Sequence, residues 1–250
     1  MSSDISSLPI ILQRDGAVAS IIINDPMRRN ALGRETFSLI STYCDEIDRD
    51  LSCGALVIRG AEGHFCSGAV RSILEEAGAD PLQTANFSLL SSIYDAVARV
   101  GSVKVPVIAA VRGAAVGAGF NLALAADVRI VSQTARLVSG FAPIGIHPGG
   151  GHFNLLTRSA TREVAAAISF FSIPISGERA LQLGLAWEAL DDLEVDQRAF
   201  NLAYEVAQDP ALARAMKRTL ITTVDATWQV ATDAERSIQM WSLRRKHGVL

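Results

Sequence analysis

Residues 103–127 constrain the fold more than any other stretch of the chain. Val105 to Val111 is a continuous apolar run of β-branched and small residues, the pattern of a strand covered on both faces, as in a parallel or sandwiched sheet. It leads straight to Gly113, Gly117 and Gly119, set among alanines, where the backbone can turn tightly and admit another backbone or a ligand at close range. From about Ala118 the spacing of Phe120, Leu122, Leu124 and Ala125 predicts a short buried helix. Its first turn leaves N–H groups unpaired at the positive end of the helix dipole, a place suited to an oxyanion. Taken alone, the same turn could equally serve only to pack helix against strand.

A second unit of the same kind lies upstream. Ala55 to Arg59 reads as a buried strand, Gly60 to Gly63 as a turn, and Gly63-His-Phe-Cys-Ser-Gly-Ala69 as a loop of small residues. Two units with the same order suggest a repeated β-β-α spiral in preference to an alternating doubly wound sheet. The two motifs, with the strand-like Ala126-Asp127-Val-Arg-Ile-Val that follows the second, resemble the signature of the enoyl-CoA hydratase/isomerase (crotonase) superfamily, whose first motif reads Phe-Cys-Ala-Gly-Ala. The resemblance runs from Ile10 to Lys246. It implies an α/β fold, a crotonase-like repeated ββα spiral over residues 1–190, with a helical C-terminal trimerisation region over 191–250. It also implies an acyl-CoA substrate, coenzyme A being part of that substrate, no prosthetic group, and a homotrimer or dimer of trimers.

Composition narrows the remaining classes. About half of the 250 residues are apolar, enough for a full core in one large domain or one domain with an appendage. The net charge of −3 comes with no basic stripe interleaved with aromatics, so nucleic acid is not an expected partner. Three cysteines, Cys44, Cys53 and Cys66, have no metal-ligand spacing with histidine and suit a reduced, cytoplasmic protein; they read as small buried hydrophobes, and no metal is expected. Met1 to Ile5 lacks the basic-then-apolar order of a leader. The long apolar stretch from Val105 to Ala126 is interrupted by Pro106, Arg112 and Asn121, which argues against a membrane span.

Along the rest of the chain, Ile10 to Arg14 and Val18 to Asn24 read as a hairpin turned at Asp15-Gly16. Helical periodicity appears over Arg34 to Asp50, Asn86 to Val100, Arg162 to Phe171, Gln197 to Gln208, Ala211 to Val224 and Trp228 to Lys246. Arg71 to Gln83 is polar and loosely specified, and Gly184-Leu185-Ala-Trp-Glu188 resembles a short family strand.

By position-by-position match, the backbone N–H groups of Ala69 and Ala118 are the oxyanion donors that the resemblance implies, with Cys66, Gly68 and Gly117 shaping the two loops. Ala118 stands where relatives usually have glycine, so its φ must be negative. Met27-Arg28-Arg29-Asn30-Ala31-Leu32 resembles the segment at the adenosine end of coenzyme A; Arg28 and Arg29 read either as phosphate neighbours or as solvated loop arginines. Hydratases of the family activate water with two glutamates, and here those positions hold Asn121 and Phe141, neither of which can exchange a proton near neutral pH. Ordinary hydration of an enoyl-CoA is therefore expected to be weak or absent. Three nearby histidines titrate in the useful range: His147 is the candidate general base, His152 a helix-start or buried residue, and His64 a residue facing outward. Asp127 is structural by resemblance. Glu75, Glu76 and Asp80 read as a solvated cluster, and Arg244, Arg245 and Lys246 as a basic helix end near where relatives cover the CoA site. Competing readings are a non-hydratase crotonase reaction (decarboxylation, C–C or thioester hydrolysis) using His147, and a non-catalytic acyl-CoA-binding protein.

Overall fold

The computed structural model describes residues 8–80 and 82–248; the Met1-to-Ile5 segment, Pro81 and Leu250 lie outside the described residues. The first hairpin is as expected: β1 (Ile10–Asp15) runs antiparallel to β2 (Val18–Ile23), with Asp15 opposite Val18. The larger sheet continues in parallel through β3 (Ala55–Gly60) and β4 (Val107–Val111). After a short β5 (Ala114–Val116) the chain returns to it as β6 (Val128–Ser132). A smaller layer joins β5 in parallel to β7 (Arg136–Val138), and β7 antiparallel to β8 (Ile175–Ser176). β9 (Glu188–Leu190) closes the larger sheet beside β6, starting at the last residue of the expected Gly184-to-Glu188 strand.

Single bridges, Leu32 to Ala69 and Cys66 to Ala115, carry the smaller layer back toward the N-terminus. Each passage of the chain thus gives a strand to the large sheet, a short segment to the small layer, and then a helix, which is the repeated ββα spiral. The helices are α1 (Arg34–Arg49), α2 (Arg71–Ala79), α3 (Thr84–Ser102), α4 (Ala118–Ala125), α5 (His152–Ser159), α6 (Arg162–Phe170), α7 (Gly177–Gln182), α8 (Val195–Ala207), α9 (Pro210–Thr223) and α10 (Trp228–Lys246).

The apolar runs are continuous because helices cover both faces of the sheet. Ile21, Leu56, Ile58, Val107 and Ala109 enter a core shared with Phe37 and Ile40 of α1, Ile93 and Val97 of α3, and Phe120 and Leu122 of α4. Val18, Ala55, Val57, Ile108 and Ile130 face the other way, onto Val195, Ala199 and Ala203 of α8. Each fully buried Val, Leu or Ile of this kind contributes about 1.5–3 kcal/mol. The polar stretch 71–83 proves helical through Ala79, held by buried Ile73 and Ala77, four residues apart on one face, and by an Arg34–Glu76 ion pair at 2.8 Å. At the other end, α10 buries none of its side chains and is tied to α9's cap by Arg245, 3.0 Å from Asp209.

Candidate active site

The two small-residue loops are laced together by main-chain hydrogen bonds. Phe65 N–H donates to the Arg112 carbonyl (2.8 Å), Cys66 N–H to Ala114 (2.9 Å) and Val116 N–H to Cys66 (3.0 Å). On the first loop's other side, Leu32 N–H donates to Gly68 (2.8 Å) and Val70 N–H to Leu32 (2.9 Å). This parallel bridge uses the groups flanking Ala69 and leaves the Ala69 N–H outside it. Ala118 is the first residue of α4, so its N–H has no partner within the helix. The neighbouring Gly117 N–H is taken by the Val138 carbonyl at 3.0 Å. Among the described residues, neither the Ala69 nor the Ala118 N–H makes a hydrogen bond.

Two glycines set this geometry. Gly68 has φ 97°, and a Cβ there would lie 2.8 Å from the Val116 carbonyl oxygen and 3.9 Å from the Ala118 nitrogen. The loops therefore touch at Gly68, with the two unpaired amides on either side of the contact. A Cβ at Gly119 would lie 2.5 Å from the Cys66 oxygen and 2.7 Å from its Sγ, so only glycine lets α4 sit so close to the first loop. Ala118 is helical and absent from the residues with positive φ, which meets the condition for a methyl group there. Cys66 is fully buried, and burial pushes its thiol up to about 12, so it packs as a hydrophobe and offers no thiolate near neutrality.

Both amides open onto a cavity of about 130 Å³ whose lining includes Ala69, Ala118, Tyr94, Phe141, His147 and Gly149. Beside the second loop, where Asn121 N–H donates to the Gly117 carbonyl, runs a buried polar chain. Asn121 Nδ2 donates to the Gly149 carbonyl (2.8 Å), and its Oδ1 lies 2.7 Å from His152 Nδ1; His152 Nε2 lies 2.9 Å from the Ser139 hydroxyl. A carbonyl can only accept, which fixes the orientation of the Asn121 amide; its oxygen then accepts Nδ1–H, and the Ser139 hydroxyl donates to Nε2. His152 is 1 % exposed, and burial pushes its pKa down to about 4, so the imidazole is neutral at ordinary pH. Phe141 packs edge-on against it, ring centroids 5.2 Å apart. Asn121 and Phe141, the residues at the two glutamate positions, thus both contact His152, one by hydrogen bond and one by packing.

His147 is exposed on the cavity rim. Its Nδ1 lies 2.7 Å from the Pro148 carbonyl, so Nδ1–H donates there, and Nε2 has no hydrogen-bond partner among the described residues. His64 does not line the cavity; its backbone carbonyl accepts from Asn30. Asp127 accepts from Val107 N–H (2.7 Å) and pairs with the buried Lys217, a structural tie between β4 and α9. Glu76 pairs with Arg34, and Glu75 with Arg71 at 3.7 Å. Arg28 and Arg29 sit beside the first loop, where Ser67 N–H donates to the Arg29 carbonyl and the Ser67 hydroxyl to that of Arg28, both at 3.0 Å. The Arg28 guanidinium pairs with Asp25 at 2.6 Å, whereas Arg29 has no ion-pair partner among the described residues; Ala31 N–H donates to Arg28's carbonyl. At the C-terminus Arg245 is held by Asp209 and stacks over Trp241 at 4.6 Å.

Sequence reasoning missed Tyr94 and the Ser139–His152–Asn121 chain. Tyr94 follows the buried Ile93 on α3 and lies at the border between core and cavity.

The model of the family described as enoyl-CoA hydratase/isomerase matches residues 13–247. A Mycobacterium tuberculosis protein, "Probable enoyl-CoA hydratase EchA14", is 40% identical over 205 residues, 82% of this chain and 76% of that one. The 1,2-epoxyphenylacetyl-CoA isomerase of Escherichia coli K12 is 29% identical over 234 residues, 92% of this chain and 88% of its own. Among solved structures, a Thermobifida fusca protein in complex with acetoacetyl-CoA superposes with a TM-score of 0.85 at 27% identity, covering 96% of this chain and 97% of that one. Among the described residues no helix is long and apolar enough to cross a membrane.

Proposed function

Since the chain belongs to the enoyl-CoA hydratase/isomerase family, we propose that it binds an acyl-CoA thioester and polarises the thioester oxygen with the N–H groups of Ala69 and Ala118. The observation that carries this reading is the pair of unpaired amides, on loops touching at Gly68, that open onto one cavity. Fixed donors of this kind stabilise the negative charge of an enolate or tetrahedral intermediate more than they stabilise the starting carbonyl. The acetoacetyl-CoA bound by the Thermobifida fusca neighbour supports the substrate class. Coenzyme A enters as part of the substrate, with Arg28, Arg29 and Ala31 as its expected phosphate-end neighbours, and no prosthetic group is invoked. The exposed apolar residues of α9 and α10, among them Leu220, Ile221, Met240 and Leu243, support a homotrimer or dimer of trimers.

The proton-transfer side favours chemistry other than hydration. Adding water across an enoyl bond needs groups that activate the water and deliver the proton, and Asn121 has both ends of its amide engaged while Phe141 is apolar. His147, with Nε2 free at the cavity rim, is the base we assign. The relative named an isomerase of an aromatic acyl-CoA supports a non-hydratase reaction. Calorimetric titration with crotonyl-CoA and a longer enoyl-CoA, followed by mass spectrometry, tests the reading. Binding with little or no gain of a water by crotonyl-CoA is expected; hydration at the rate of ordinary hydratases overturns it. His147→Ala is expected to abolish turnover of any acyl-CoA the protein converts while leaving its affinity nearly unchanged, and retention of turnover removes His147 from the mechanism.

A further inference from the structure

Resting on the acyl-CoA reading above, we propose that Tyr94 is a second catalytic residue, the acid that returns a proton to the acyl chain after His147 has removed one. Of the side chains lining the cavity, Tyr94 and His147 are the two that can exchange a proton by gaining or losing charge; Asn121 cannot, and the Ser67 hydroxyl is committed to the Arg28 carbonyl. Packing then fixes where the phenol stands. A Cβ at Gly149 would lie 2.2 Å from the Tyr94 oxygen and 2.8 Å from Cζ, and one at Gly150 would lie 3.4 Å from Cδ1. The two glycines form a seat that any side chain would fill, and the tyrosine ring occupies it. Gly149 is two residues from His147, so the phenol packs against the loop that carries the imidazole, and both residues line the cavity together with Ala69 and Ala118. The anchor is Ile93, 5 % exposed, on the preceding position of α3. Among the described residues the phenol makes no hydrogen bond, which leaves its O–H free to donate.

The step balances within the substrate. His147 Nε2 takes a proton from the carbon next to the thioester carbonyl, and the electron pair of that C–H bond moves onto the carbonyl oxygen held by the two amides. When the substrate carries a double bond one carbon further along, the pair returns through the conjugated system and the Tyr94 O–H adds its proton at the γ-carbon. The proton on His147 then restores the phenol by way of solvent. One proton leaves the α-carbon and one arrives at the γ-carbon, so the double bond moves into conjugation with no oxidant or second substrate.

The experiment uses 3-butenoyl-CoA in deuterium oxide, read by mass spectrometry and NMR. The unsubstituted protein is expected to exchange hydrogen at the α-carbon and to form the conjugated isomer with deuterium at the γ-carbon. Tyr94→Phe keeps the ring in its glycine seat; it is expected to retain α-exchange and to slow γ-deuteration about a hundredfold or more. Equal γ-deuteration by Tyr94→Phe, or none by the unsubstituted protein despite α-exchange, overturns the role of Tyr94 and leaves the thioester reading standing. Loss of α-exchange together with γ-deuteration in the variant also overturns it, because the ring would then only shape the pocket. Absence of α-exchange from the unsubstituted protein overturns the proton-transfer roles of both Tyr94 and His147, and calorimetric binding of the same thioester decides separately whether the acyl-CoA reading stands.

Discussion

One wall of the site is built from main chain and another from side chains, and the two respond differently to substitution. On the first, the donors we propose are amides of Ala69 and Ala118, held by cross-loop bonds that leave them free and by glycines whose replacement meets backbone at 2.5–2.8 Å. No side chain there performs chemistry, so the wall persists wherever the small residues persist. On the second, each function rests on a side chain that one codon can change. The glutamate positions hold Asn121 and Phe141, and the surrounding volume is filled by His152, whose hydrogen bonds satisfy Asn121 and Ser139. In the proposed reaction, electrostatic stabilisation of the oxyanion and transfer of the proton are thus separable. Similarity of the first is no guide to the reaction run by the second.

The sharpest way to break that comparison is to remove one amide without touching a side chain. Ala118 occupies the first position of α4, where proline is well accommodated because its missing N–H had no helical partner. Ala118→Pro deletes the donor. Turnover of any acyl-CoA converted by the protein is expected to fall by about 10²–10³-fold, equivalent to roughly 2.7–4 kcal/mol of transition-state stabilisation. The fold is expected to survive, as circular dichroism and thermal unfolding would register. Turnover within a few-fold of the unsubstituted protein would mean that the main-chain wall is not where the charge develops.

The side-chain wall is tested through pH. Between pH 6.5 and about 4 the unfolded chain binds a proton at His152 that the folded chain excludes, because burial lowers the folded pKa to about 4. Stability therefore rises with pH across this window and is lost as pH falls through it. The full effect is on the order of 3 kcal/mol, approached near pH 4. Urea unfolding at a series of pH values measures it. His152→Gln, which carries no titrating group, is expected to flatten this part of the profile, and an unchanged slope would exclude His152 as its source.

What could be read from the sequence follows the same division. The main-chain wall was legible because its determinants are local: an apolar strand, three glycines within seven residues and a helix beginning at Ala118. The limits of α10 were read to the residue, since Thr227 caps its start. The side-chain wall was only half legible. Asn121, Phe141 and His147 stand at matched positions, but the bond from His152 to Asn121 spans 31 residues and that to Ser139 spans 13, distances over which no periodicity speaks. Tyr94 was hidden because the contact that matters is with two glycines more than fifty residues further on. α2 was missed because its stabilising pair reaches from Glu76 to Arg34, forty-two residues away.

The smallest expected effect lies outside both walls, at the arginines beside the first loop, and it separates two roles that the sequence left open. Arg28 spends its charge locally: its guanidinium pairs with Asp25 at 2.6 Å, and its own carbonyl anchors Ser67. Arg29 is exposed, held in the left-handed region at φ 52°, and has no ion-pair partner among the described residues. A phosphate of coenzyme A approaching this loop would have to compete with Asp25 for Arg28 but not for Arg29. Arg29→Ala is therefore expected to weaken binding of free coenzyme A more than Arg28→Ala does, by up to about 1 kcal/mol or roughly fivefold, and to reduce the salt dependence of binding. Calorimetric titration at two ionic strengths reads both quantities. Equal, salt-independent affinities for the two variants and the unsubstituted protein would make these residues solvated loop arginines and move the phosphate contacts elsewhere on the surface.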